Sequence, residues 1–295
     1  VDLLSIDSLD DDQVAAILER AAHWFAENRA GRASDRLSGK IVFNLFYENS
    51  TRTAMSFATA AHRLGAAVVA LSVEHSSIKK GETLEDTAQT LNAMRPDALV
   101  IRHRDNGAAA AVARIMHAPV INAGDGTNEH PTQALLDAAT IRHRFGRVAG
   151  LKVAICGDIR HSRVARSNTK LLPRLGAEVR LAGPPELMPE GIAPLSIDEA
   201  IERADVVMML RIQRERLDED LGYAPGEYLE RYGLTAERLA RAAPDAVVMH
   251  PGPMNRGVEI DSVIADDPQR SLITLQVEMG VAVRMACLEM LIAGA

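Results

Sequence analysis

Apolar positions along this chain change period repeatedly, and the changes mark out its elements. Val14, Ile17, Leu18, Ala21 and Phe25 recur at three- and four-residue spacing, which predicts a helix over about 10–30 that stops near Gly31. Short apolar runs then alternate with helical spacing. Runs at 41–46, 67–73, 98–102 and 119–122 read as strands, with helices fitting between them at about 52–64, 83–94 and 107–117. A helix over 131–145 ends near Gly146 and Gly150, and a second series follows. Its strands lie near 151–156, 178–182, 205–210 and 246–249, and Arg163–Leu175 supplies the helix after the first of them. A final helix at about 275–291 has no strand left to follow.

Strands alternating with helices imply parallel pairing through right-handed crossovers. The chain has 295 residues, which favours two domains of about 130–150 residues over one core. The predicted fold is therefore α/β: two parallel-sheet domains of similar size, 1–135 and 150–275, with the ligand site in the cleft between them. No short repeat or low-complexity stretch interrupts this parse.

In an open parallel sheet, ligands bind beyond the carboxyl ends of the strands. Glu48 and Ser50-Thr51-Arg52-Thr53 follow the first strand. They bring three hydroxyls and a guanidinium to a helix N-terminus, where unpaired N–H groups and the helix dipole already favour an anion. Arg52 can grip two oxygens at once, so the turn reads as a phosphate cradle. The second strand leads to Ser76-Ser77-Ile78-Lys79-Lys80-Gly81-Glu82, the third ends at Arg102-His103-Arg104, and the fourth leads to His130-Pro131-Thr132-Gln133. In the second series, Gly157–Arg163, Leu210–Arg216 and His250-Pro251-Gly252-Pro253 take the equivalent places. Singly, each has a plain explanation: a Ser/Thr cap with a surface Arg, a solvated strand end, a helix-capping His, a loop tip, a charged helix face. Gly157-Asp158 lacks the GxGxxG spacing of a dinucleotide site. Their joint placement at one edge points to anion binding.

Composition narrows the setting. A net charge of −7 disfavours nonspecific nucleic-acid binding, so an anion site must come from locally placed cations. Aromatics are only 3%, which leaves the core to Ala, Val, Leu, Ile and Met. Cys156 and Cys287 show no metal-site spacing and suggest reduced thiols in a cytoplasmic protein. No apolar run reaches the ~18–20 residues of a membrane span, no signal peptide opens the chain, and no metal or other cofactor is expected.

Over nearly its whole length the chain resembles the catalytic chains of the aspartate carbamoyltransferase family. The motifs are Phe46-Tyr47-Glu48-Asn49-Ser50-Thr51-Arg52-Thr53, Lys80-Gly81-Glu82-Thr83, His130-Pro131-Thr132-Gln133-Ala134-Leu135, Gly157–Ser167, Leu210–Arg216 and His250–Gly257. The Ser-Thr-Arg-Thr element marks carbamoyltransferases generally and leaves the acceptor open. Aspartate brings two carboxylates, which suits Arg163 and Arg211 with Gln213 as a neutral neighbour. The resemblance favours aspartate further, because Glu48 and the Pro251 that follows His250 depart from the ornithine pattern.

The resemblance implies a transferase of pyrimidine biosynthesis that uses carbamoyl phosphate and L-aspartate. Ser50, Thr51, Arg52, Thr53 and Arg102 would hold the phosphate, and Thr53, Arg102 and His130 would polarise the carbonyl. Gln133 and the backbone carbonyls near Pro251 and Gly252 would hold the carbamoyl NH2, with Glu48 orienting the arginines. Ser76 and Lys80 belong to a loop that in the family reaches a neighbouring subunit's site, Lys80 also serving aspartate. That implies a homotrimer with shared sites, either alone or in a larger assembly with a regulatory chain or dihydroorotase. The final helix, 275–295, is expected to pack back on the first domain. Val164 stands where some members carry a Thr, and Arg160 or Arg166 remain alternatives to Arg163. Transfer to another amine such as ornithine and a silent scaffold are the competing readings.

Overall fold

The computed structural model describes residues 1–72, 81–193, 195–212, 223 and 226–294. The chain forms two compact units: Val1–Ala139 with the stretch from Val277 onward, and Thr140–Gln276.

In the first unit, helix α1 (Asp11–Arg29) opens with a capping box between Asp10 and Gln13 and buries Val14, Ile17, Leu18, Ala21 and Phe25. Strand β1 (Ile41–Phe46) leads to α2 (Thr51–Arg63), β2 (Ala67–Ser72), α3 (Leu84–Ala93), β3 (Ala98–His103), α4 (Ala108–Ala113) and β4 (Val120–Asp125). All strand pairs are parallel, in the order β2-β1-β3-β4. Leu45, Leu99, Ile101, Val112 and Val120 share one core. The sequence predicts a longer helix than α4. The chain instead tightens after Ala113, where the N–H groups of Ile115 and Met116 both bond the Val112 carbonyl. Asn92 Oδ1 then accepts the His117 N–H at 2.9 Å, diverting the chain before Pro119.

Helix α5 (Pro131–Phe145) leads into the second unit. There β5 (Lys152–Cys156), α6 (Arg163–Arg174), β6 (Glu178–Ala182), α7 (Ile197–Ile201) and β7 (Val206–Met209) follow in turn. The short helices α8 (Glu227–Tyr232) and α9 (Ala236–Leu239) come next, then β8 (Val247–Met249) and α10 (Ser262–Ala265). The sheet is again parallel, in the order β6-β5-β7-β8, so both units use one strand order. Its core is mainly Ala, Ile and Val, with Ala154, Val207, Met209, Val248 and Ile260 among its members. No described helix is long and apolar enough to cross a membrane.

Helix α11 (Ile273–Ala293) returns the chain to the first unit. Near its end Glu289, with a side chain only 1% exposed, accepts from Arg20 Nε at 2.6 Å, Arg36 Nε at 2.6 Å and Trp24 Nε1 at 2.8 Å. Burial alone would push this carboxyl up, but the hydrogen bonds from these three side chains outweigh it and hold it below its ordinary value. One turn of α11 is thereby fastened to α1. Cys156 and Cys287 are fully buried, one in each unit, and burial pushes both thiols up to about 12.

A carboxyl whose pKa is lowered by folding adds stability above its unfolded pKa and loses it as pH falls through the folded one. Glu289→Gln should cost about 1–3 kcal/mol at neutral pH. It should also make stability less steeply dependent on pH below about 5, in thermal melts between about pH 3 and 7. Superimposable acid limbs for variant and wild type would contradict this role.

Candidate active site

Phe46 and Arg102 are partners in the register of β1 and β3, where the strand order reverses. Connections leave these two strand ends on diverging paths, and the opening between them is the usual ligand position of an open α/β sheet. Ser50 is the N-cap residue of α2, yet its side chain makes no capping hydrogen bond. Elsewhere among the described helices, Ser, Thr and Asp N-cap residues all accept a backbone N–H: Ser5, Asp10, Thr83, Ser162, Ser196, Thr235 and Asp261. The Ser50 hydroxyl is thus not spent on capping its own helix. Thr51 and Arg52 are exposed there and Thr53 is buried.

Arg102 lies at the end of β3 with its Nε 3.2 Å from Glu48 Oε2, the two side chains being 15% and 23% exposed. The Tyr47 N–H bonds the Arg102 carbonyl at 2.8 Å, which locks the turn carrying Glu48 against the adjacent strand. The carboxylate therefore pairs with the guanidinium on one side, while Nη1 donates to the Ala123 carbonyl at 3.5 Å. Neighbouring His103 is buried, and burial lowers its pKa.

The approach to His130 is built on Asp125, at the end of β4. Its Oδ1 accepts from Asn122 Nδ2 at 2.8 Å and the Glu129 N–H at 3.1 Å, and its Oδ2 accepts from the Gly107 N–H at 2.7 Å and Asn128 Nδ2 at 3.0 Å. A buried carboxylate with four donors fixes the loop, since breaking any bond would strand a charge. His130, 3% exposed, begins α5 with its carbonyl accepting the Gln133 N–H at 3.0 Å. Gln133 Nε2 donates to Asp137 Oδ1 at 3.0 Å, one turn along the helix. The first unit thus groups the Ser50–Thr53 turn with Glu48 and Arg102, and presents His130 and Gln133 from a braced helix start.

In the second unit, Cys156 and Met209 are register partners on β5 and β7, again where the order reverses. Gly157 leaves β5 at φ +129°, and a Cβ there would meet the Leu210 carbonyl oxygen at 2.5 Å. Only glycine lets the two strand ends approach this closely. Asp158, fully buried, accepts the His161 N–H at 3.1 Å and shapes the turn into α6. Ser162 caps that helix, which turns Arg163 inward to 7% exposure while Arg160 and Arg166 stay exposed. Arg211, half-buried, follows β7.

His250 Nδ1 accepts the Gly252 N–H at 2.8 Å, so its proton lies on Nε2, 3.1 Å from Glu259 Oε1. This buried pair, closed over a cis Gly252–Pro253 bond, sets the Pro251–Gly252 backbone. Ser76, Lys80 and Gln213 lie outside the described residues. Sequence reasoning missed Asp137, which four-residue spacing from Gln133 on one helix face would have revealed. It also missed Glu259, whose distance from His250 in irregular chain carries no such signal. Among the described residues no three His, Cys, Asp or Glu side chains converge as metal ligands.

Two family models match. One is the aspartate/ornithine carbamoyltransferase carbamoyl-P binding domain, over residues 1–143; the other is the Asp/Orn binding domain of that family, over 149–291. The chain belongs to the aspartate/ornithine carbamoyltransferase family. The aspartate carbamoyltransferase catalytic subunit of Rhizorhabdus wittichii is 59% identical, covering 98% of this chain and 94% of the relative. The crystal structure of Trypanosoma cruzi aspartate transcarbamoylase in complex with carbamoyl phosphate and aspartate matches with a TM-score of 0.88 at 33% identity, over 98% of this chain and 95% of that one. Ornithine carbamoyltransferase from Pyrococcus furiosus matches with a TM-score of 0.89 at 27% identity, over 100% and 97%. Backbone shape is therefore common to both acceptor branches, and it is sequence identity that puts this carbamoyltransferase in the aspartate branch. The expected α/β architecture and transferase class are both met.

Proposed function

We propose that this carbamoyltransferase moves the carbamoyl group of carbamoyl phosphate onto the amine of L-aspartate, giving N-carbamoyl-L-aspartate and phosphate for pyrimidine synthesis. The observation that carries the residue-level reading is the Ser50 hydroxyl, not spent on capping α2, together with an Arg102 paired with Glu48. In this reading Ser50, Thr51, Arg52, Thr53 and Arg102 bind the phosphate of carbamoyl phosphate. Thr53, Arg102 and His130 face the carbonyl oxygen. Gln133, with its amide nitrogen already tied to Asp137, turns its oxygen to the carbamoyl NH2, as do the backbone carbonyls of Pro251 and Gly252. The aspartate carboxylates fall to Arg163 and Arg211, with Gln213 and Lys80 beside them. The inward side chain of Arg163 favours it over Arg160 and Arg166.

The chemistry asks mainly for orientation and charge stabilisation. The aspartate amine attacks the carbamoyl carbon and forms the C–N bond, placing negative charge on the former carbonyl oxygen. Donors from Thr53, Arg102 and His130 stabilise that oxyanion. The C–O bond to phosphate then breaks, and the departing phosphate accepts the amine's proton. Every atom and charge is accounted for by the two substrates.

We place the reaction in the cytoplasm and its active unit in a homotrimer, with Ser76 and Lys80 completing a neighbouring subunit's site. Carbamoyl transfer in chelator-treated buffer should yield carbamoyl-aspartate in preference to carbamoyl-ornithine. Arg52→Ala and Arg102→Ala should each lower kcat by about 100–1,000-fold. Transfer to ornithine alone would overturn the roles of Arg163 and Arg211, and near wild-type kinetics in either variant would remove the phosphate assignment. Mixing inactive Arg52→Ala and Lys80→Ala parents should restore activity in hybrid trimers. Hybrids that stay inactive despite confirmed subunit exchange would rule out shared sites.

A further inference from the structure

Helix α11 carries a buried cation for which the reaction above has no use. Arg284 is 4% exposed, and its chain neighbours Val283, Met285 and Ala286 are buried as well. Removing a guanidinium from water is expensive, and an apolar residue of similar volume often stabilises a core better. Burial pushes its pKa down to about 10, which still leaves it protonated near neutral pH. Its Nη1 donates to Ser56 Oγ at 2.8 Å, and its guanidinium lies 5.0 Å from the Phe57 ring centroid. Asp137 adds only a small electrostatic attraction. The Nε finds no acceptor among the described residues, so the group is not placed for its own full satisfaction.

Its bonded partner marks what it joins. Ser56 lies one turn along α2 from Arg52 and Thr53. Asp137 lies one turn along α5 from Gln133 and holds that side chain at 3.0 Å. The cation is therefore bonded to the helix that begins with the phosphate cradle, and Asp137 on the helix that begins after His130 attracts it only electrostatically. Gly280, one turn before Arg284 on α11, leaves the space this requires. A Cβ at that position would meet Arg284 Nη1 at 2.7 Å and Leu136 Cδ2 at 3.2 Å. Glycine inside a helix costs about 1 kcal/mol relative to alanine, so this gap is maintained against helix propensity.

We propose that Arg284 is a positioning residue of the carbamoyl phosphate site, holding α2 against α11 through Ser56, at the point where Leu136 of α5 also packs, so that Arg52 and Thr53 keep one geometry. The inference rests on the assignment of the α2 N-terminus to phosphate. Gly280→Ala is the most discriminating variant, because it favours the helix while driving the guanidinium tip off Ser56. Ser56→Ala removes the acceptor and little volume, and Arg284→Lys keeps charge without the fork.

The full-length protein and these three variants would be compared by inorganic phosphate calorimetry, by kcat and KM for each substrate, and by thermal melting. Gly280→Ala and Ser56→Ala should lower kcat/KM for carbamoyl phosphate by about 10–100-fold, the scale of a small misplacement of reacting groups. Phosphate should bind more weakly in step, and the KM for aspartate should stay unchanged. Combining Ser56→Ala with Arg284→Lys should add little to Arg284→Lys alone, as expected for one shared interaction. Wild-type phosphate affinity and kcat/KM in Gly280→Ala and Ser56→Ala would overturn the proposal, as would lowered melting temperatures with both quantities intact. A wild-type protein that binds phosphate but carbamoylates no aspartate would defeat the acceptor assignment alone, and weakened phosphate binding in the variants would then still support the link. A wild-type protein that binds no phosphate would defeat both.

Discussion

Parallel pairing is the constraint from which the rest of this molecule follows. Strands that all run one way end at one edge, so the turns that leave them collect there whatever their distance in sequence. Because both sheets reverse direction between their first and third strands, two turns in each unit open outward from adjacent strand ends. The polar residues are concentrated at those turns: Glu48 to Thr53 beside Arg102, and Asp158 to Arg163 beside Arg211. The remaining helices and apolar strands serve to hold these edges still.

Carboxylates do much of that holding. Asp125 gathers four donors around the loop before His130, Glu48 steadies Arg102, and Glu259 lies 3.1 Å from His250 Nε2. None of them needs to touch a substrate to matter. In a site that works through orientation and fixed dipoles, each donor must already point correctly before the reaction begins. A carboxylate held in a dry environment is a stiff support, because any displacement leaves charge unpaired.

Much of this architecture was legible because strands and helices have different apolar periods. The run Ile41–Phe46 followed by Ser50 gave the first strand and the helix after it within a residue or so. Helix α4 was overestimated because Ile115 and Met116 continue its apolar spacing, while the Asn92 side chain that ends it is distant in sequence. The short helices α7 to α10 were not visible, since four to six residues carry too little periodicity. Among the arginines, chemistry alone could not rank Arg160, Arg163 and Arg166. The Ser162 cap sets the helical phase and so decides which of them is buried. Supports such as Glu259 and Arg284 depend on tertiary approach and leave no pattern in the chain.

The two buried thiols have a practical consequence. With no exposed surface and an ionisation displaced to about 12, Cys156 and Cys287 present almost no thiolate to an oxidant or an alkylating label while their surroundings stay closed. One belongs to each compact unit. Pulse labelling followed by mass analysis would therefore time the opening of each unit separately, with no foreign probe introduced. The wild-type chain carries its own pair of unfolding clocks.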